Sequence, residues 1–261
     1  MKIEGAVCVL TGAGGGIGAG LARALRHRGA GRILVSDRDG AAAERVAREV
    51  DGIAVECDVS RPARLDMLVD TALDTFGRID LMCSNAGILR IDSPGGNAAS
   101  APDEDWDLSW QVNVMAHVRL ARRVIPVMQM QQRGHFLITV SAAGLLNIIG
   151  GAPYGATKHA ALAFAESLAM THGDEGIGVT ALCPQAVETA MIHQEEGPNV
   201  AAVDGIKTPE EVAEVTLNAV ENRDFLALPH SEVLGYFQAK ATDYQRWLGG
   251  MRKLRRHFNS L

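Results

Sequence analysis

Cysteine pairs are missing from this chain. Cys8, Cys57, Cys83 and Cys183 lie far apart and form no C-x-x-C, which excludes a zinc knuckle or a dithiol redox motif, and no metal site is expected. Each cysteine sits in or beside an apolar run, so buried, reduced thiols and an intracellular, cytoplasmic setting are expected. Positive charge is also scarce. The formal charge of −6 disfavours phosphate-backbone binding as the main activity, since that needs a basic face, and no nucleic-acid partner is expected. The one basic run, Arg252, Lys253, Arg255, Arg256 and His257, reads as a solvated helix face. A signal peptide is not expected, because Ala6 to Leu10 is short and follows Glu4. Residues 134–157 lack Asp, Glu, Lys and Arg, yet Ser141, Asn147, Pro153 and the glycines between them read as strand, loop and helix start, so no membrane span is expected. Neither repeat nor linker divides the 261 residues, of which 47% are apolar and 21% charged, enough for a full core in one domain over 1–261.

What is present begins with glycine. Ala6 to Leu10 runs into Thr11, Gly12, Ala13, Gly14, Gly15, Gly16, Ile17 and Gly18, after which Leu21 to Leu25 start a helical pattern. Strand, glycine loop and helix form the setting of a phosphate-binding loop, where the backbone approaches a pyrophosphate and the helix N-terminus faces it. The register reads as G-x-G-x-x-A from Gly14 or as T-G-x-x-x-G-x-G from Thr11. Arg32 to Ser36 is a second strand that ends in Asp37, at the ~20-residue distance where a carboxylate holds the adenosine ribose. Such a carboxylate repels a 2′-phosphate, whereas Arg38 beside it is able to pair with one. With no basic residue in the loop, NAD is favoured over NADP.

Strands over 53–56, 81–84, 136–140, 179–183 and 225–228 alternate with helices over 41–50, 65–76, 103–130, 153–170 and from Thr208, where Pro209 and Glu211 complete a capping box. This rhythm predicts an α/β fold, a doubly wound parallel β-sheet flanked by helices, with ligands at the carboxyl ends of the strands. Segments 88–102 and 185–207 read as loops over those ends, and 229–261 as a C-terminal helical extension. Asn113 falls inside the helix predicted over 103–130, where asparagine competes with the backbone, and a surface position is the expected reason.

Tyr154 and Lys158 stand four apart on a predicted helix, so phenol and ammonium share a face. A nearby cation favours the phenolate of a group whose free pKa is about 10, which makes an acid/base pair usable nearer neutrality. Packing of the ring on the lysine stem is the bland alternative.

Taken together, Thr11-Gly12-x-x-x-Gly16-x-Gly18, Asn85-Ala86-Gly87, Asn113, Ser141 and Tyr154-x-x-x-Lys158 resemble the short-chain dehydrogenase/reductases, from the N-terminus to about Leu228. The resemblance implies a Rossmann-type domain with NAD(P) across the strand ends and a homodimer or homotetramer paired through the helices over 103–130 and 153–170. It implies Tyr154 as acid/base, Ser141 on the substrate oxygen, Lys158 on the nicotinamide ribose and Asn113 behind a proton-relay water. The implied cofactor set is Gly12, Gly16, Ile17, Gly18, Asp37, Arg38, Asn85, Ala86, Gly87 and Pro184, with Asp58 and Val59 near adenine and Val187 and Thr189 near the carboxamide. Three features depart from the pattern: Ser84 replaces the first Asn of N-N-A-G, Gln185 replaces Gly after Pro184, and the tail is a longer basic helix. The expected activity is NAD-dependent interconversion of a secondary alcohol and its ketone. Leu145, Leu146, Ile148, Ile149, Met191 and Ile192 are expected beside an apolar, medium-sized substrate. The rivals are an NADP-linked ketone reductase and a cofactor-binding regulatory protein that has no catalysis. Such a regulator would typically have lost Tyr154 or Lys158, and both are present.

Overall fold

Seven short runs of β-branched and aliphatic residues pair into one parallel sheet in a computed structural model that describes residues 1–92, 97–192 and 202–258. The strands are β1 (Val7–Thr11), β2 (Arg32–Asp37), β3 (Ile53–Glu56), β4 (Leu81–Ser84), β5 (Gly134–Thr139), β6 (Ile177–Leu182) and β7 (Leu226–Ala227), in spatial order β3-β2-β1-β4-β5-β6-β7. The order reverses between β1 and β4, which opens a crevice at their carboxyl ends. The sheet is the expected doubly wound one.

Alternation along the strands divides the core into two layers. Val9, Leu34, Met82, Phe136 and Ile138 face α3 (Pro62–Phe76), α5 (Ala116–Gln131) and α7 (Ala152–His172). Cys8, Leu10, Ile33, Val35 and Leu137 face α1 (Gly16–His27), α2 (Gly40–Glu49) and α8 (Pro209–Asn222). All four cysteines are free and buried in these layers, and burial pushes the Cys183 thiol up to about 12. The α8 start is the expected capping box, with Glu211 N–H on Thr208 Oγ1 at 3.2 Å and Thr208 N–H on Glu211 Oε2 at 2.7 Å.

Two expectations need correction. The helix over 103–130 is α4 (Asp103–Trp110), a π-helical turn at Gln111–Met115, and then α5. Asn113 sits in that turn and is fully buried, not at the surface. The cause is local. Its amide takes the Ile88 N–H on Oδ1 at 2.9 Å and gives a hydrogen to Ile88 O at 3.0 Å, so it serves as the ladder partner for a segment leaving the sheet. The tail is two helices, α9 (Glu232–Thr242) and α10 (Tyr244–Phe258). They break at Asp243, which is extended and whose carboxylate accepts the Arg246 N–H at 2.9 Å. A further short helix, α6 (Ala143–Leu146), was not anticipated. Of the two predicted loops, 93–96 and 193–201 lie outside the described residues. No helix among the described residues is long and apolar enough to cross a membrane.

Candidate active site

The carboxyl ends of β1, β4 and β5 are tied together by side chains from the sequence motifs. Thr11 Oγ1 accepts the backbone N–H groups of Asn85 at 3.1 Å and Ala86 at 3.2 Å. Asn85 returns the contact, giving hydrogens to Thr11 O at 3.1 Å and Gly12 O at 3.0 Å, and its Oδ1 accepts Thr139 Oγ1 at 2.9 Å. Every polar atom of this cluster is matched, so the glycine loop is held against the sheet edge. Gly12 has φ 61°, and a Cβ there would stand 2.6 Å from Ala86 Cα. Gly16 has φ 51° and a Cβ would meet Thr189 Cγ2 at 2.9 Å, so the Val187–Thr189 segment closes onto the loop at a point that admits only glycine. A Cβ on Gly18 would stand 2.3 Å from Gly12 O, which fixes how α1 leaves the loop. The Gly12 and Gly18 contacts fit the register from Thr11, Gly16 belongs to both registers, and Gly14, where a Cβ would stand 2.8 Å from Ala42 Cβ, is equally tight.

Asp37 stands at the end of β2 as expected, with Oδ2 accepting Gly14 N–H at 3.0 Å and Oδ1 accepting Asp39 N–H at 3.1 Å. Arg38 is exposed beside it. Asp58 Oδ1 accepts the Ser60 N–H at 3.0 Å and the Ser60 hydroxyl at 2.7 Å, and Val59 is buried.

Across the crevice, α7 presents Tyr154 and Lys158. The Lys158 ammonium is 5.5 Å from the Tyr154 ring centroid and donates to Thr139 O at 3.0 Å. Lys158 is only 2% exposed, and burial pushes its pKa down from 10.5 to about 8. Ser141 Oγ accepts Ala143 N–H at 3.1 Å and donates to Pro184 O at 3.4 Å, which points the hydroxyl along the same edge. A Cβ on Gly87 would lie 3.3 Å from Lys158 Nζ and 3.4 Å from Asn113 Oδ1, so glycine keeps that corner open.

All of the predicted site residues except two line one cavity of about 1290 Å³. The wall holds Gly12, Gly16, Ile17, Asp37, Arg38, Asp58, Val59, Asn85, Ala86, Gly87, Ser141, Tyr154, Lys158, Pro184, Val187 and Thr189. Gly18 and Asn113 stand behind it. Asn113 acts from the second row, through Ile88 and through a 3.2 Å bond to Thr157 Oγ1. Of the apolar residues expected at the substrate, Leu146, Ile148, Met191 and Ile192 line the cavity, whereas Leu145 faces a smaller one and Ile149 lines neither.

The sequence reading missed several neighbours. His117, four residues after Asn113 on the same helical face, shares a 2.6 Å hydrogen bond through Nδ1 with Ser84 Oγ. Burial and the Lys158 charge push His117 down to about 3, so it is neutral. The i, i+4 spacing from Asn113 was the available signal. His230, buried beyond β7, accepts the Gln185 N–H on Nδ1 at 3.2 Å, so the replaced glycine is held from below, and the Gln185 side chain lines the cavity. The tail also lines it, through Tyr236, Arg246, Trp247, Met251 and Leu254.

This sheet order, with a glycine loop on one side of the crevice and a half-buried Tyr154 beside a buried Lys158 on the other, defines a dinucleotide-dependent oxidoreductase fold. The family model of the short chain dehydrogenases matches residues 6–199, and the chain belongs to that family of oxidoreductases acting on hydroxyl and keto groups. It is 34% identical over 239 residues, 89% of this chain and 86% of the other, to 1-deoxy-11-beta-hydroxypentalenate dehydrogenase of Streptomyces exfoliatus. Among solved structures, a short chain dehydrogenase/reductase from Burkholderia phymatum in complex with NAD superposes with TM-score 0.82 at 28% identity, over 94% of this chain and 96% of that one. A 3-ketoacyl-(acyl-carrier-protein) reductase from Brucella melitensis complexed with NADH gives TM-score 0.79 at 29% identity, over 87% of this chain and 96% of that one.

Proposed function

We propose that the protein interconverts a secondary alcohol and its ketone with NAD, on an apolar, medium-sized substrate. The observation that carries this reading is the opening of Tyr154, Lys158 and Ser141 into the same cavity as the glycine loop and Asp37. The residues present fit a dinucleotide. A Cβ would fill the loop at Gly12 and Gly16, Gly15 has open space beside it, and the cavity exceeds the ~300–1,000 Å³ of a single small-molecule pocket. Gly12, Gly16 and Ile17 would hold the pyrophosphate at the α1 N-terminus, Asp37 the adenosine ribose, Asp58 and Val59 the adenine, and Val187 and Thr189 the carboxamide. Asp37 as the ribose acceptor favours NAD over NADP. When bound, the nicotinamide accepts a hydride in oxidation and returns it in reduction.

The chain's own part is the proton. Ser141 Oγ orients the reacting oxygen, and Tyr154 takes the hydroxyl proton in oxidation and returns it in reduction. Lys158 supplies a positive charge beside the phenol and a contact to the nicotinamide ribose, with its ammonium aimed by Thr139 O. Asn113 holds Ile88 and the π-turn in place behind the site. The homologue named as a hydroxypentalenate dehydrogenase and the neighbours solved with NAD and NADH support the same reading. A panel of secondary alcohols offered with NAD and with NADP, followed by absorbance of the reduced cofactor, tests it. No reduction with any alcohol overturns the reaction, and higher kcat/KM with NADP overturns the cofactor.

The chain is read as one unit with an extension from about 229, and as a homodimer or homotetramer. Leu108, Trp110, Met130 and Met170, exposed apolar residues on α4, α5 and α7, support pairing through those helices. A monomer in sedimentation at micromolar concentration overturns it.

A further inference from the structure

The helix α10 carries Arg246, Arg252, Lys253, Arg255 and Arg256 and no Asp or Glu, in a chain whose formal charge is −6. Among the described residues none of these five cations has an ion pair, whereas Arg23, Arg28 and Arg123 elsewhere each hold two carboxylates. Arg246 is the one of the five that lines the large cavity. Asp243, which precedes the helix and also lines the cavity, caps the α10 start by accepting the Arg246 backbone N–H on Oδ1 and forms no ion pair with the Arg246 guanidinium. The other arginines of the cavity have other settings. Arg38 stands at the Asp37 end, and Arg90 is paired with Asp105 at 2.9 Å. The rest of the wall contributed by α10 is apolar, with Trp247, Gly250, Met251 and Leu254.

A second buried lysine anchors the elbow that precedes Arg246. Lys240, 7% exposed, donates from Nζ to Leu145 O at 2.6 Å, lies 3.4 Å from His159 Nε2 and stands 5.5 Å over the Tyr244 ring. These contacts fasten the α9–α10 elbow to α6, next to Ser141, and to α7, one residue past Lys158. The elbow is therefore seated relative to the reacting groups and is not a loose appendage.

We propose that α10 makes the substrate site selective for an apolar acid, with the carbinol or ketone at Tyr154 and a carboxylate held by Arg246. This rests on the proposed reaction and names its substrate class. A guanidinium offers a carboxylate two parallel N–H donors, and the unpaired cations along the same helix draw anions toward the mouth. The attraction is screened by salt because these groups are exposed.

Two sets of probes separate this inference from the reaction it rests on. Unsubstituted fatty acids from hexanoate to hexadecanoate and their methyl esters, titrated calorimetrically into the NAD-saturated protein, read binding without turnover. The corresponding (ω−1)-hydroxy acids and esters read KM and kcat. The best acid is expected to bind about tenfold or more tightly than its ester, which corresponds to about 1.4 kcal/mol. Arg246→Met should remove the difference and Arg246→Lys should keep part of it. In both variants the ester and NAD affinities should stay unchanged, and raised salt should narrow the gap in the unmodified protein. Equal binding of acid and ester, no binding of any acid, or an acid preference that survives Arg246→Met overturns the proposal. Loss of NAD affinity in Arg246→Met assigns the arginine to the cofactor and overturns it as well. Acid binding with no oxidation of any alcohol refutes the reaction alone, and oxidation without acid preference refutes this inference alone.

Discussion

Replacing Lys158 with Met should remove activity and, with it, a pH-dependent cost to the stability of the cofactor-free protein. Burial lowers the Lys158 pKa from 10.5 to about 8. A drop of about 2.5 units at 1.36 kcal/mol per unit makes the charged lysine cost the folded state about 3 kcal/mol. The direction follows from proton counts. Below the folded value both states are protonated and the cost is complete; between about 8 and 10.5 the unfolded chain holds the proton more tightly, so stability rises with pH; above 10.5 the cost is gone. The Met variant has no such dependence, but it leaves Thr139 O without its 3.0 Å donor, a loss of about 1–3 kcal/mol that does not vary with pH. The informative quantity is therefore the difference between the two proteins as a function of pH. Urea unfolding from pH 7 to pH 10.5 should show the unmodified protein gaining on Lys158→Met by a few kcal/mol, with most of the change above pH 8. A difference that stays flat across this range would refute the claim that Lys158 is held charged against its burial.

Asp37→Ala should narrow the preference for NAD over NADP, read as the ratio of kcat/KM, because it removes the carboxylate that repels a 2′-phosphate; an unchanged ratio removes Asp37 from cofactor choice. Asn113→Leu should cost roughly 2–4 kcal/mol in urea unfolding, since it strands the Ile88 N–H and C=O that Asn113 now satisfies. A loss under about 0.5 kcal/mol would show that water replaces the amide. Ser141→Ala should lower turnover with NAD affinity unaltered, by activity assay and titration, and weakened NAD binding would move the hydroxyl from substrate to cofactor.

The parts legible in the sequence are those whose physics is local. The glycine loop, Asp37 at the end of β2 and the Tyr154–Lys158 pair depend on spacings of a few residues within or between adjacent elements, and the structure puts them on one cavity. Asn113 is conspicuous in the sequence as an amide inside a helix, but its burial is not legible there, because its partner Ile88 is 25 residues away and only the fold brings them together. Ser84 and His117 are 33 residues apart and Lys240 and Leu145 are 95 apart, so neither contact leaves a periodic trace. The break at Asp243 left a readable mark, an aspartate with a free N–H three residues on, but it was hidden inside a polar and apolar mixture that supports one helix as well as two.

Tyr154 is proposed as the acid/base group and not as packing for the Lys158 stem. Tyr154→Phe keeps the ring and deletes one hydroxyl, so turnover of the best secondary alcohol found in the panel, together with NAD affinity and a thermal melt, isolates that oxygen. The account predicts turnover lower by about 10²-fold or more, with NAD affinity and melting temperature nearly unchanged. Near-normal turnover in a folded Tyr154→Phe protein would contradict it.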